Sequence, residues 1–128
     1  MDPIADLLIA IKNAGNANKP VVIVPYSQIK EEIALLLSKK GYVGKVIKKG
    51  KKVAKDIEVE ILYENGMPKV SDVKRISKPS RRLYEKSKEI KPFMQKVGMR
   101  VLSTPKGILS DFDAKKEKVG GEILFSIW

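Results

Sequence analysis

Apolar residues recur at helical spacing in two segments near the start of the chain. They lie three or four positions apart at Ile4, Leu7, Leu8, Ile11, and again at Ile29, Ile33, Leu36, Leu37. Asp2 can cap free backbone N–H groups, and Pro3 loses no hydrogen bond at a first helical position. Ser27 is the corresponding cap of the second segment. The pattern predicts one helix that ends by Gly15 and a second that ends at Gly41.

The pattern then changes from helical to strand spacing. Residues 21–24 are a β-branched run closed by Pro25, which is typical of a buried or edge strand. Residues 42–48 and 53–62 alternate between apolar and polar side chains, as an antiparallel hairpin does. We therefore expect the order α-β-α-β-β in the first half of the chain.

The second half has shorter apolar runs and more turn residues. Asn65-Gly66 predicts a turn, residues 70–76 a strand, and Pro79-Ser80 a linker between two lobes. Beyond the linker we expect strands at 82–85, 98–102, 107–110 and 122–128, a short helix or turn near 89–96 and a short helix after Ser110. The predicted fold is α+β, with an N-terminal α+β lobe at 1–78 and a mostly antiparallel β lobe at 79–128.

Positive charge is large and unevenly placed. The 128 residues include 26 Lys and Arg against 15 Asp and Glu, a net charge of +11. Residues 39–55 hold eight lysines and no acid, whereas residues 56–64 are acidic. Such an excess favours nucleic acid or an anionic membrane surface as partner, and a lysine-rich solvated surface is the simpler interpretation. For the lysines of residues 48–52, a solvated hairpin tip and a phosphate contact are equally compatible with the pattern.

The missing residue types exclude many functions. The chain has no Cys and no His, so thiolate nucleophiles, imidazole bases and the usual zinc sites are excluded. It has no apolar run of membrane-spanning length and no signal-peptide pattern at its start. We expect a cytoplasmic protein without cofactor, metal, small-molecule substrate or membrane partner.

A turn at residues 103–107 carries the candidate chemistry. Ser103 and Lys106 match the Ser-x-x-Lys pair of penicillin-binding enzymes, but the companion motifs of those enzymes are absent. A phosphate loop is also excluded, since five residues separate Gly44 from Gly50. Asp111 and Asp113 are more simply read as helix-start residues.

The same turn can also be interpreted as an RNA-binding site. Hydroxyl groups bind base edges and 2′-hydroxyls, a lysine adds charge, and a glycine lets the backbone approach closely. A second turn, Gly120-Gly121-Glu122, adds a carboxylate, and Tyr84 beside Arg81 and Arg82 offers a stacking surface. Two simpler interpretations stay open: ordinary turn chemistry for residues 103–107, and a core position for Tyr84.

Three motifs resemble one family over the whole chain. The first comprises Asp2-Pro-Ile-Ala-Asp-Leu-Leu and Ile11-Lys-Asn-Ala, and the second is Val73-Lys-Arg-Ile-Ser-Lys-Pro-Ser-Arg-Arg-Leu-Tyr. The third is Arg100-Val-Leu-Ser-Thr-Pro-Lys-Gly-Ile-Leu-Ser-Asp, followed by Lys118-Val-Gly-Gly-Glu. In this order they resemble the universal family of the eighth small-subunit ribosomal protein, in its bacterial form.

The resemblance implies a two-lobed, non-catalytic protein that binds RNA mainly through its C-terminal lobe. The implied partners are a helical region of the central domain of small-subunit ribosomal RNA, bound early in assembly, and neighbouring small-subunit ribosomal proteins. The implied RNA-binding residues are Ser103, Thr104, Lys106, Gly107, Tyr84, Gly120, Gly121 and Glu122, with Asp2, Pro3 and Lys12 as secondary contacts. The chain departs from the family pattern at Ala10, Pro105 and Phe112.

Two other classes of function are weighed against this one. A cold-shock-like nucleic-acid module needs several exposed aromatic side chains on one sheet, and the chain has only eight aromatic residues (Trp 1, Tyr 4, Phe 3). An enzyme needs an acid or base with a perturbed pKa in a cleft, and only Lys and carboxylates are available.

Overall fold

The computed structural model of the chain describes residues 2–51, 54–90 and 98–128. Helices and antiparallel sheets alternate along the chain, which confirms the predicted α+β class. Contacts divide the chain into two compact units, one ending at Ser71 and the other beginning at Asp72. Each unit is described by itself below.

The first unit has two helices and a three-stranded sheet, in the predicted order. Its elements are α1 (Pro3–Asn16), β1 (Val21–Pro25), α2 (Gln28–Lys39), β2 (Val43–Lys51) and β3 (Ala54–Ile61). The antiparallel sheet has the order β1-β3-β2, so Pro25 ends an edge strand, where its missing N–H costs no ladder bond. A small hairpin follows at the predicted Asn65-Gly66 turn, with β4 (Tyr63–Glu64) and β5 (Met67–Pro68).

Both helices of this unit begin at the predicted caps. The Asp2 carboxylate accepts hydrogen bonds from the N–H groups of Ile4 and Ala5, each at 3.2 Å. The Ser27 hydroxyl accepts one from the Lys30 N–H at 3.2 Å. These bonds satisfy donors that the first helical turn leaves without intrahelical partners.

The core of the first unit lies between the helices and one face of the sheet. On β3, Ile57, Val59 and Ile61 are buried, and every residue of the two predicted apolar stripes is buried except Ile29, which is half-buried. The alternate residues of β3 point the other way, where Glu58 accepts a hydrogen bond from Lys49 Nζ at 3.2 Å. The period-two pattern of the sequence therefore identified the buried face correctly.

The second unit is a sheet covered on one face by a short helix. Its elements are β6 (Val73–Arg75), β7 (Tyr84–Glu85), a 3₁₀ turn (Ser87–Glu89), β8 (Met99–Thr104), β9 (Gly107–Ser110), α3 (Asp111–Lys116) and β10 (Gly121–Ile127). One edge of β10 pairs with β8, which pairs in turn with β9; the other edge pairs with β6 and β7. Most of the segment 89–96, for which a short helix or turn is predicted, lies outside the described residues.

Some predicted boundaries differ from the observed ones. The strand predicted at 70–76 is limited to β6, and the one at 82–85 to β7, because the regular ladder with β10 covers only these residues. Ile76 and Leu83 each share one further backbone hydrogen bond with β10. That pairing also places residues 72–78 with the second unit, whereas the sequence put them in the first. The division into separate domains at 1–78 and 79–128 stays a prediction.

The helix α3 covers a small core in the second unit. The hydroxyl of Ser110 accepts a hydrogen bond from the Asp113 N–H at 3.1 Å, as the predicted cap requires. Ala114 of α3 then packs with three other buried residues, Ile90, Leu102 and Ile123. This core fixes one face of the sheet.

Two glycines let β10 enter between its neighbours. A Cβ atom on Gly121 would lie 2.1 Å from the Ser103 carbonyl oxygen, and one on Gly120 would lie 2.3 Å from the Glu85 carbonyl oxygen. Both obstacles are backbone atoms, which cannot rotate away as a flexible side chain does. Only glycine fits this close approach.

The first prediction concerns this approach. Gly121→Ala should destabilise the protein by about 1–3 kcal/mol, because the new methyl group forces β8 and β10 apart. The free energy of unfolding from urea titration measures the loss. Lys115→Ala, at an exposed position of α3, is the control and should change stability by less than about 0.5 kcal/mol. Equal stability of the two variants would contradict the steric argument.

Candidate nucleic-acid interface

Strand register brings three predicted site residues into one line across the sheet. Glu122 of β10 lies opposite Tyr84 of β7 on one side and Ser103 of β8 on the other. Ser103 in turn lies opposite Ile108 of β9. Directly opposed residues in antiparallel strands project from the same face. We call these four residues, Tyr84, Glu122, Ser103 and Ile108, the cross-strand row.

Tyr84 is accessible to a ligand. Its side chain is 65% exposed, which decides against the core position left open by the sequence. The other three members of the row are half-buried. The row thus offers an aromatic ring, a carboxylate and a hydroxyl next to one another on a sheet. Phe112, also exposed, lies on α3, so the described part of the sheet lacks the set of aromatics that a cold-shock-like module needs.

The 103–107 turn is a two-residue hairpin held by its own threonine. Thr104 and Gly107 lie opposite each other, with Pro105 and Lys106 between them. The Thr104 hydroxyl donates to the Gly107 carbonyl at 2.8 Å and accepts from the Lys106 N–H at 3.1 Å. Gly107 has φ +106°, a conformation that favours glycine. A hydroxyl has one donor and two acceptor sites, so one acceptor site of Thr104 is left for a ligand.

Lys106 is held only weakly. Its Nζ lies 3.3 Å from Glu117 Oε1, and the two side chains are 54% and 49% exposed. Ion pairs at this exposure contribute about 0–1 kcal/mol. Lys106 can therefore exchange Glu117 for a phosphate at little cost.

The predicted Gly120-Gly121-Glu122 turn has a different form in the structure. Gly121 and Glu122 are the first two residues of β10. The two glycines allow the close backbone approach described above. The strand register that results places Glu122 in the cross-strand row. The side chain of interest in this motif is thus the carboxylate alone.

An ionic cluster that the sequence did not predict lies on the opposite face of the sheet. Arg100 Nη1 is 3.2 Å from Glu85 Oε2, and Arg100 Nε is 3.8 Å from Asp111 Oδ2. Asp111 is in the first turn of α3, as predicted, but it is also only 2% exposed. Strand alternation in β8 places Arg100 and Ser103 on different faces of the sheet. This alternation was the sequence signal that could have separated Arg100 from the row.

The remaining predicted residues are divided between the two units. Arg81 and Arg82 are exposed and precede β7. In the first unit, Asp2 caps α1, Pro3 is its exposed first residue, and Lys12 is half-buried on the same helix. Of the three departures from the family pattern, Pro105 and Phe112 are exposed and Ala10 is half-buried.

The lysine-rich hairpin β2–β3 is partly organised by a tyrosine. The Nζ atoms of Lys48 and Lys55 lie 5.1 and 5.8 Å from the centroid of the Tyr26 ring, within cation–π range. The side chain of Lys51 and the whole of Lys52 lie outside the described residues. A solvated tip and a phosphate contact therefore both stay open for residues 48–52.

Other kinds of site find little support in the described ranges. In residues 2–51, 54–90 and 98–128, no three metal-ligating side chains cluster, and no helix is long and apolar enough to cross a membrane. A hydrogen bond and the charge of Lys69 hold the pKa of the Glu64 carboxyl below its ordinary value. This pair lies exposed at the β4–β5 hairpin of the first unit.

Comparison with known proteins gives a consistent result. The sequence profile of a family described as "Ribosomal protein S8" matches residues 2–128. Proteins named small ribosomal subunit protein uS8 are similar along nearly their whole length. The one from Persephonella marina is 46% identical over 134 residues, covering 99% of this chain and 98% of the relative. The one from Dictyoglomus turgidum is 42% identical over 127 residues, covering 99% and 97%.

Because its relatives are ribosomal proteins, the family confirms the prediction that the chain is not an enzyme. It also confirms the resemblance carried by the three sequence motifs. With the profile match spanning all but the first residue and identity above 40% over nearly complete chains, this protein belongs to the ribosomal protein S8 family.

Proposed function

We propose that this chain is a structural constituent of the small ribosomal subunit in the cytoplasm and binds a helical region of the central domain of its ribosomal RNA. Family membership makes it a ribosomal protein. In the proposal, binding nucleates assembly of that RNA domain, and neighbouring small-subunit ribosomal proteins are further partners. The observation that carries the RNA-binding assignment is the cross-strand row.

The row suits the irregular surface of an RNA helix. An exposed tyrosine ring stacks on an unpaired base, whichever base it is. The Glu122 carboxylate accepts hydrogen bonds from exocyclic amino groups or 2′-hydroxyls and repels phosphates, so it selects base and sugar edges. The Ser103 hydroxyl, next to it in the row, both donates and accepts. Such contacts read local shape rather than a long sequence.

The turn beside the row is rigid before RNA binds. Thr104 closes it with two hydrogen bonds, and Pro105 restricts its backbone. Rigidity lowers the ordering cost of binding. We therefore assign Thr104 mainly to holding the turn, and Ser103 and Lys106 to direct contact. Pro105 has no N–H to donate, so its position contributes shape alone.

Positive charge provides affinity that does not depend on RNA sequence. The net charge of +11 attracts phosphates, and each contact releases bound counterions. Arg81 and Arg82 add charge just before Tyr84, and the β2–β3 hairpin adds charge from the first unit. The row then supplies the preference for one RNA helix over others.

The second prediction tests the row. Glu122→Ala should weaken binding to the central-domain RNA helix by about 1–3 kcal/mol, because RNA donors at the row lose their acceptor. Binding to a random RNA duplex should change much less. Filter-binding titrations of both RNAs measure the difference. Glu32→Ala, an exposed carboxylate on α2, is the matched control. Equal losses on the two RNAs would remove Glu122 from the recognition surface.

The third prediction tests the hairpin lysines. Lys48→Ala should weaken binding to all RNAs by the same factor and reduce the slope of log affinity against log salt by about one. Lys69→Ala removes the same charge from a lysine already paired with Glu64 at 2.9 Å, and should leave the slope unchanged. A salt titration of each variant gives both slopes. If Lys48→Ala keeps the full slope, the hairpin tip is solvated.

A further inference from the structure

A basic groove lies within the second unit, apart from the cross-strand row. It has a volume of about 720 Å³, within the range of about 300–1,000 Å³ that is common for ligand sites. Nine described residues line it, and five of them are Lys or Arg. None of these described residues is Asp or Glu.

The groove and the row are on opposite faces of the same sheet. Ser126 of β10 lies opposite Lys74 of β6 and Arg100 of β8, and all three line the groove. Arg100 and Ser103 project from different faces, because three positions separate them on one strand. An RNA helix seated on the row therefore leaves the groove free for a second occupant.

Three cations of the groove carry charge that no described acidic residue neutralises. Across the described residues, Lys74, Lys78 and Arg81 form no ion pair, whereas Arg100 is paired with Glu85 and Asp111. Lys78 and Arg81 are also held near each other, since their backbones exchange hydrogen bonds of 2.8 and 2.9 Å across a tight turn. Like charges fixed together repel, and a bound polyanion relieves that repulsion.

Backbone hydrogen bonds also hold the apolar side of the groove, at Trp128 and Leu83. Trp128 exchanges two backbone hydrogen bonds with Asp72, each 3.1 Å long. The N–H of Leu83 donates to the Ser77 hydroxyl at 2.7 Å. A half-buried indole beside a leucine is a suitable platform for a nucleic-acid base, since every base has an apolar face.

We propose that this groove binds an unpaired stretch of RNA, with phosphates on Lys74, Lys78 and Arg81 and a base against Trp128. The proposal rests on the proposed function for its class of ligand. An unpaired nucleotide offers an accessible base face next to a phosphate, which matches cations beside an aromatic wall. The second unit then holds an RNA helix on one face of its sheet and a single strand on the other.

The fourth prediction uses Trp128, the single tryptophan of the chain, as a reporter of the groove. A short oligouridylate added to the intact protein should quench the tryptophan fluorescence to saturation. The affinity should fall as the salt concentration rises. Each phosphate contact should add about 0.7 to the downward slope of log affinity against log salt. The double variant Lys74→Gln, Lys78→Gln should lower this slope by about 1.4 and the affinity by about tenfold. A double variant at exposed lysines outside the groove, Lys88→Gln, Lys115→Gln, should retain the slope.

Each outcome of this experiment decides the question. Absence of quenching, or equal loss in both double variants, overturns the groove proposal. Quenching by an oligoglutamate at equal affinity also overturns it, since the groove would then be a site for acidic protein segments. Displacement of the oligouridylate by a saturating RNA helix overturns it as well, because the two would share the row. Helix binding by the unchanged protein tests the proposed function separately, so a chain that binds the helix without tryptophan quenching loses only the groove.

Discussion

Close backbone contact at Gly120 and Gly121 is the constraint on which the second unit depends. A side chain at either position would collide with a neighbouring backbone carbonyl. With hydrogen atoms alone there, β10 enters the sheet and pairs with β6, β7 and β8. The register that results places Glu122 between Tyr84 and Ser103. A structural requirement of two glycines therefore determines the composition of the candidate RNA-binding surface.

Strand alternation then gives the two faces of this sheet different chemistry. One face presents the cross-strand row, with a neutral ring, a hydroxyl and an isolated carboxylate. The other face carries Arg100, which is partly neutralised by Glu85 and Asp111, and the basic groove next to it. The row suits base and sugar edges, whereas the groove suits phosphates. A thin sheet of this kind carries two chemically different surfaces, the two that we propose for RNA, without a second domain.

The sequence predicted local structure well where one segment contains its own signal. The caps Asp2 and Ser27, the alternation in β3 and the Asn65-Gly66 turn each act within a few residues, and all are observed. It predicted less well where pairing decides the outcome. The strands at 70–76 and 82–85 are shorter than expected because β10 pairs with only part of each. The role of Thr104 as a clamp of its own turn also depended on the hairpin geometry.

By itself, the sequence determined the α+β class, the basic character of the chain and, through three spaced motifs, its family. It also named Tyr84, Ser103 and Glu122 of the row as candidate site residues, but not as neighbours. Tyr84, Ser103 and Glu122 are far apart in the chain, and their alignment depends on non-local strand register. The same holds for the Arg100–Asp111 pair and for the groove. Only the tertiary structure decided these, because pairing between distant strands follows from packing and close backbone approach, which no single segment encodes.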